Sequence, residues 1–233
     1  MNEPVPISIL ARAPVAGFAK TRLSSVLGAE RAASLAARLI ERAVQTASQA
    51  ATGSVTLWAT PDASHPVFGE LAVRYGVGLR RQSEGDLGAR MHAAIAAANG
   101  PVLVIGTDCP GITAEHLSKA ADVLRRGLDA VIFPAEDGGY GLIGMHAPHS
   151  GVFAGVDWGT ARVLGQTRRR LKEGGLAWEE PVTVWDLDRP EDFKRLEETG
   201  PGWSNLIGLP VNNRENTGSA ASKCPNGNDS PEK

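Results

Sequence analysis

Cysteine is scarce in this chain, with only Cys109 and Cys224 in 233 residues. One follows an apolar segment and the other sits in a polar tail, so no disulfide framework can be read, and a reducing cytoplasm fits. Charge of one sign is lacking too. With 24 Lys and Arg against 26 Asp and Glu, the formal net charge is -2. That balance excludes a broad electropositive face for a nucleic-acid backbone, so no nucleic-acid partner is expected and any bound phosphate must be held locally. Long apolar runs are absent, and the first residues carry an acid and two prolines with no basic start. Neither a signal peptide nor a membrane span is expected.

What is present is an alternation of short apolar runs and helical patterns. Residues 7–10, 55–59, 78–82, 102–105, 130–135, 140–145 and 183–187 read as strands. Between them, residues 28–51, 65–75, 87–98 and 160–172 have helical spacing or composition. Thr113 is placed to cap a helix reaching Arg126, and Pro190 to open a closing helix at its favoured first position. The run Val102-Leu103-Val104-Ile105 has no polar alternation, which is what a central strand covered on both faces requires. The length suits one domain over residues 1–200. From Pro201 to the end Asn, Gly, Ser and Pro dominate, so residues 201–233 are expected to be a disordered tail. The order predicts an α/β fold with a mostly parallel sheet between helical layers, binding its ligand beyond the carboxyl ends of the strands.

Four loops at those strand ends could carry chemistry. Arg12-Ala13-Pro14-Val15-Ala16-Gly17-Phe18-Ala19-Lys20-Thr21-Arg22 sets three cations around a Gly/Pro turn. It reads as a phosphate cradle or as a solvated surface loop, and it is not a P-loop, since Ala19 stands before Lys20-Thr21. Asp108 ends the most buried strand and is placed to ligate a hard divalent cation or to cap a turn. Asp137-Gly138-Gly139 follows the next strand and allows a hairpin turn or a close approach of backbone amides to a ligand. Asp186 and Asp188 would point the same way along a strand, although Asp188, Glu191 and Asp192 could equally serve the start of a helix. A thinner candidate, Gly85-Asp86-Leu87-Gly88-Ala89-Arg90, could lay Gly88 against a nucleoside and bring Arg90 to a phosphate, or simply begin a helix. His92, His146 and His149 lack metal-ligand spacing, and Cys109 has no base partner in sequence, so a buried inert thiol is expected.

Taken in order, the Lys20-Thr21-Arg22-Leu23 loop, Gly106-Thr107-Asp108-Cys109-Pro110, the segment from Asp137 to Gly144 and the segment from Asp186 to Asp192 resemble one group. It is the GT-A-like family of arsenosugar-biosynthesis glycosyltransferases, in the nucleotide-diphospho-sugar transferase superfamily. The same features are similar to the phospholactate guanylyltransferases, a sister group. The resemblance spans about residues 6–198 and implies a GT-A-like three-layer α/β/α sandwich. It also implies a nucleotide-activated small molecule as partner, with Lys20, Arg22, Arg12 and Gly17 around its phosphates. Asp108 and Asp188, with Asp186 beside them, would hold Mg²⁺ or Mn²⁺, and Gly138 and Gly139 would face the sugar or acceptor.

The reaction implied is glycosyl transfer from a nucleotide-diphospho-sugar to a small acceptor, with Asp137 as general base. The alternative is nucleotidyl transfer, in which a phosphorylated metabolite attacks a nucleoside triphosphate and pyrophosphate leaves. A binding domain without turnover is a third reading. Two departures bear on the choice: Arg12 stands where the family has Lys, and Asp108 is followed by Cys109-Pro110 where many sugar transferases carry Asp-x-Asp.

Overall fold

The computed structural model describes residues 3–198, and the tail expected from Pro201 lies outside the described residues. In chain order the elements are β1 (Ile7–Arg12), α1 (Thr21–Leu27), α2 (Ala29–Ala50), β2 (Val55–Thr60), α3 (Pro66–Tyr75), β3 (Gly78–Arg81), α4 (Leu87–Ala96) and β4 (Val102–Ile105). They continue with α5 (Ala114–Arg125), β5 (Ala130–Pro134), β6 (Tyr140–Met145), α6 (Ser150–Phe153), α7 (Val163–Glu173), β7 (Trp178–Glu179) and α8 (Phe193–Glu198), the last preceded by a 3₁₀ turn over Pro190–Asp192. Among the described residues no helix is long and apolar enough to cross a membrane.

The seven strands among the described residues form one sheet in the order β3-β2-β1-β4-β6-β5-β7, with β4 at its centre and β6 the antiparallel member. Strand side chains alternate between faces, and the core divides accordingly. Leu103 and Ile105 of β4 pack with Ile40 and Val44 of α2, Phe68 of α3 and Leu117 of α5. Val102 and Val104 pack on the other face with Met91 and Ile95 of α4, Phe153 of α6 and Leu171 of α7. Both faces of β4 are thus covered, which is why its sequence carries no polar residue. The result is a three-layer α/β/α sandwich.

The chain reverses direction across the sheet between β1 and β4, which pair side by side although four helices and two strands separate them in sequence. Loops leaving the carboxyl ends of such neighbours open a crevice, and this is where open α/β sheets bind ligands. A third cluster closes that crevice from the side: Leu23 and Leu27 of α1, Leu35 and Leu39 of α2, Leu187, and Phe193 and Leu196 of α8. It clamps the first loop against the end of the described chain.

The strand expected over residues 183–187 does not form. Pairing with β5 occurs at Trp178 and Glu179 and then at one bridge, Val184 to Ala135. Pro181 lies between and has no N–H to donate, so the ladder is interrupted. After Val184 the chain leaves β5, and the Leu187 amide donates to the Asp108 carbonyl at 2.8 Å. The short helix α1 was not separated from the first loop by its sequence pattern, whereas the Thr113 cap formed as expected, its hydroxyl accepting from the His116 amide at 3.2 Å.

Candidate active site

Three amides of the first loop bond within the loop itself. Val15 N donates to Ala13 O, and Phe18 N and Ala19 N both donate to Val15 O, at 2.9–3.0 Å. Gly17 supplies the positive φ of 81° that this tight turn needs. The loop also presents cationic side chains, and Lys20 is the most constrained of them. It sits in the left-handed region at φ 48°, ψ 46°, as the residue before α1. A side chain held there costs on the order of 1–2 kcal/mol, and such strain persists where surrounding contacts over-determine it. Here the contacts are an ion pair from Nζ to Asp108 Oδ1 at 2.5 Å and a hydrogen bond donated to Leu187 O, also 2.5 Å. Lys20 thus joins the first loop, the end of β4 and the approach to α8.

Arg22, one residue into α1, donates from Nη1 to Asp188 Oδ2. Asp188 is free to do so because it is not the helix cap. The Asp192 carboxylate takes that part, accepting from the Asp188 and Arg189 amides at 2.9 and 2.7 Å. On the other side, Arg42 of α2 donates from Nε to Pro110 O at 2.7 Å, bracing the loop that carries Asp108.

Two adjoining cavities open at these strand ends. The first, about 490 Å³, is lined by Arg12, Phe18, Lys20, Arg22, Arg90, Thr60, Gln82 and Thr107. The second, about 440 Å³, has walls of Met91, Ile105, Cys109, Tyr140, Leu142 and Trp158 and is bordered by Asp108, Asp137, Asp186 and Asp188. Leu10, Arg22, Leu87, Asp108 and Asp188 line both, so the acids and Arg22 stand at the junction of a basic and an acidic compartment.

Burial pushes the Asp186 carboxyl above the usual carboxylate range, and the charges of Asp137, Asp188 and Asp108 push it further. Burial, and after it the charges of Asp108, Asp186 and Asp137, raise the Cys109 thiol, so it is a neutral wall of the second cavity rather than a nucleophile. Burial likewise raises Tyr140.

The residues singled out in the sequence fall into two sets. Arg12, Lys20, Arg22, Arg90, Asp108, Asp137, Gly139, Asp186 and Asp188 all line one or both cavities. Gly17, Gly88 and Gly138 line neither. Gly88 is buried under Trp158, where a Cβ would meet Cζ2 at 2.7 Å. Gly138, at φ 89°, is the tight corner of the β5–β6 hairpin, and a Cβ there would lie 2.4 Å from the Ala161 carbonyl oxygen. Its amide donates to Ala135 O, while the Gly139 amide donates to Asp137 Oδ1 at 2.8 Å. The paired glycines therefore build a turn, and their amides are occupied within it. Residues the sequence did not mark are Thr60, Gln82, Tyr140 and Trp158. Gln82 immediately follows β3, a strand-end position that could have drawn notice.

Asp108, Asp186 and Asp188 bring hard oxygen donors to the second cavity, chemistry suited to Mg²⁺ or Mn²⁺. Among the described residues, however, no three His, Cys, Asp or Glu side chains are already gathered as a metal site. Lys20 and Arg22 hold two of the three acids.

Comparison with solved structures agrees with this architecture. A protein from Desulfovibrio desulfuricans G20, provisionally named a nucleotide-diphospho-sugar transferase, superposes with a TM-score of 0.76 at 29% identity, over 86% of this chain and 89% of that one. A cytidylyltransferase from Leptospira borgpetersenii serovar Hardjo-bovis shares the fold with a TM-score of 0.54 at 15% identity, over 88% and 92% of the two chains. A CMP:2-keto-3-deoxy-manno-octonic acid synthetase complexed with CTP does so with a TM-score of 0.52 at 12% identity, over 83% and 97%. No curated protein matches the sequence. The family model described as "Uncharacterized protein conserved in bacteria (DUF2064)" matches residues 43–160, just over half of the chain. The chain belongs to the DUF2064 family and has the GT-A-like fold of the nucleotide-diphospho-sugar transferase superfamily.

Proposed function

We propose that the protein is a glycosyltransferase that takes its donor from a nucleotide-diphospho-sugar and passes the sugar to a small acceptor bearing a hydroxyl. The observation that carries this reading is the opposite charge of two adjoining cavities. The first is lined by Arg12, Lys20, Arg22 and Arg90 and suits a diphosphate. The second has four carboxylates at its border and, among the described residues, Arg22 as its one lining cation, and that guanidinium already serves Asp188. Four carboxylates against one guanidinium and one divalent cation still leave that border negative, so a phosphorylated co-substrate, which nucleotidyl transfer would require, would meet repulsion there and a neutral hydroxyl compound would not.

In this reading the diphosphate lies along Lys20 and Arg22, with the sugar directed past Asp108 and Asp188 into the second cavity. The acceptor oxygen bonds to the anomeric carbon as the bond from that carbon to the diphosphate oxygen breaks. The acceptor's proton passes to Asp137, which borders the cavity and is oriented by the Gly139 amide. Apolar walls from Met91, Leu142 and Trp158 limit water there. Asp108 and Asp188, with Asp186 beside them, would hold a divalent cation once Lys20 and Arg22 turn to the phosphates. When bound, that cation supplies neutralisation of charge at the departing diphosphate.

The test is release of nucleoside diphosphate from a panel of nucleotide sugars with Mg²⁺ or Mn²⁺, by the wild type and by Asp108→Asn. Turnover should fall about 100-fold or more in the variant with the fold retained, since the Asp108 side chain is 58% exposed. Undiminished turnover would remove Asp108 from the chemistry. Pyrophosphate release from nucleoside triphosphates, with none of the sugars used, would replace this reading with nucleotidyl transfer.

A further inference from the structure

Gln82 is only 8% exposed, among the few buried polar residues in the described part of the chain, and it lies where β3 ends. Its backbone amide donates to Ala59 O at 2.9 Å. Its side-chain nitrogen donates twice, to Ala11 O at 3.1 Å and to Trp58 O at 2.8 Å. Two carbonyl oxygens facing the same amide nitrogen fix which end of the side chain is which, because the reversed amide would set oxygen against oxygen. Both N–H groups are then consumed.

The remaining atom, Oε1, takes no hydrogen bond from any described residue, and it is not sealed in the core. Gln82 lines the first cavity, and Oε1 is the polar atom of its side chain that is not already bonded. Stapling the ends of β1 and β2 accounts for the nitrogen of Gln82 and leaves the oxygen without a role. An acceptor held this firmly, with no freedom to present a donor instead, discriminates between ligands by demanding an N–H or O–H at one point.

We infer that Gln82 reads the base of the bound nucleotide, offering its Oε1 to an N–H on the base edge. The inference rests on the proposed use of the first cavity by a nucleotide. In that cavity Lys20 and Arg22 provide the phosphate end, and Thr60 and Gln82, carried by the ends of β2 and β3, provide the other. A base edge that presents a bare acceptor to Gln82 is rejected, and one that presents an amino or imino hydrogen is retained.

The experiment compares ligands on the wild-type protein, so it does not depend on a variant folding. Calorimetry gives Kd for the four common nucleoside diphosphates and for the diphosphates of purine riboside and 2-pyrimidinone riboside, whose bases carry no N–H and add no bulk. The best natural diphosphate should bind about 10- to 100-fold more tightly than its N–H-free counterpart. In Gln82→Met, of similar length but without the acceptor, the two should agree within about threefold. Equal binding by the wild type overturns the role of Gln82 and leaves the proposed function standing. Failure of every diphosphate to bind overturns the proposed function, and this inference with it.

Discussion

The Leu187 amide donates to the Asp108 carbonyl over 2.8 Å, tying the last acidic segment to the end of the central strand. This one main-chain bond brings Asp186 and Asp188 to the border of the cavity that Asp108 also lines. Leu187 itself is fully buried among Leu23, Leu39 and Phe193, so the acids are placed by apolar packing behind them.

The geometry of Asp188 depends on Asp192, whose carboxylate accepts the Asp188 and Arg189 amides. Asp192→Ala removes a cap contributing about 1 kcal/mol and frees the backbone that holds Asp188. The expected outcome is a small loss of thermal stability together with a loss of nucleotide-sugar turnover several times larger than in Asp192→Asn. Melting curves and initial rates on the same samples check it.

Lys20 combines backbone strain with function. Lys20→Ala and Lys20→Gly both delete the ammonium that reaches Asp108 and Leu187. At φ 48° glycine is free of the steric penalty that alanine keeps. Lys20→Gly should therefore be the more stable of the two by about 1 kcal/mol, against the ordinary order in helices, while both lose nucleotide affinity alike. Denaturant titration gives the stability difference, and calorimetry with a nucleoside diphosphate gives the affinity.

Gly138→Ala separates a ligand role from a structural one. An added Cβ would have to move the Ala161 main chain while accepting φ 89°, so destabilisation of about 2–4 kcal/mol is expected. Because the Gly138 carbonyl also accepts from the Leu164 amide at the start of α7, the loss should appear in the global melt and not only in substrate binding.

Much of the fold was legible because it depends on local pattern. The four aliphatic residues of β4 announced a strand covered on both faces, and Thr113 and the helix after it followed from capping chemistry. Asp108 and the cations of the first loop were legible as strand-end groups. The path of residues 183–188 was not, since it is set by a missing donor at Pro181 and by a tertiary bond to Asp108. Gly88 and Gly138 could not be told from ligand-facing glycines without knowing that Trp158 and Ala161 lie against them. Gln82 escaped notice for a similar reason: a single amide after a short strand has no periodic signature, and its meaning comes from three carbonyls on two neighbouring strands.

Asp186 gives a prediction in pH. Its carboxyl titrates above its ordinary value through burial and the charges of Asp137, Asp188 and Asp108. Between the unfolded and folded values the folded chain holds the proton more tightly, so stability falls as pH rises through that interval and stays lowered above it. Asp186→Asn removes the penalty. In buffer with a chelator, the variant should melt on the order of 2 °C above the wild type at pH 7, and the gain should vanish at pH 3. Addition of Mg²⁺ or Mn²⁺ should then raise the wild-type melting temperature more than that of the variant, because a bound cation relieves the same repulsion. A variant that is no more stable than the wild type at pH 7, or a metal response equal in both proteins, would show that Asp186 neither suffers that repulsion nor shares in holding the ion.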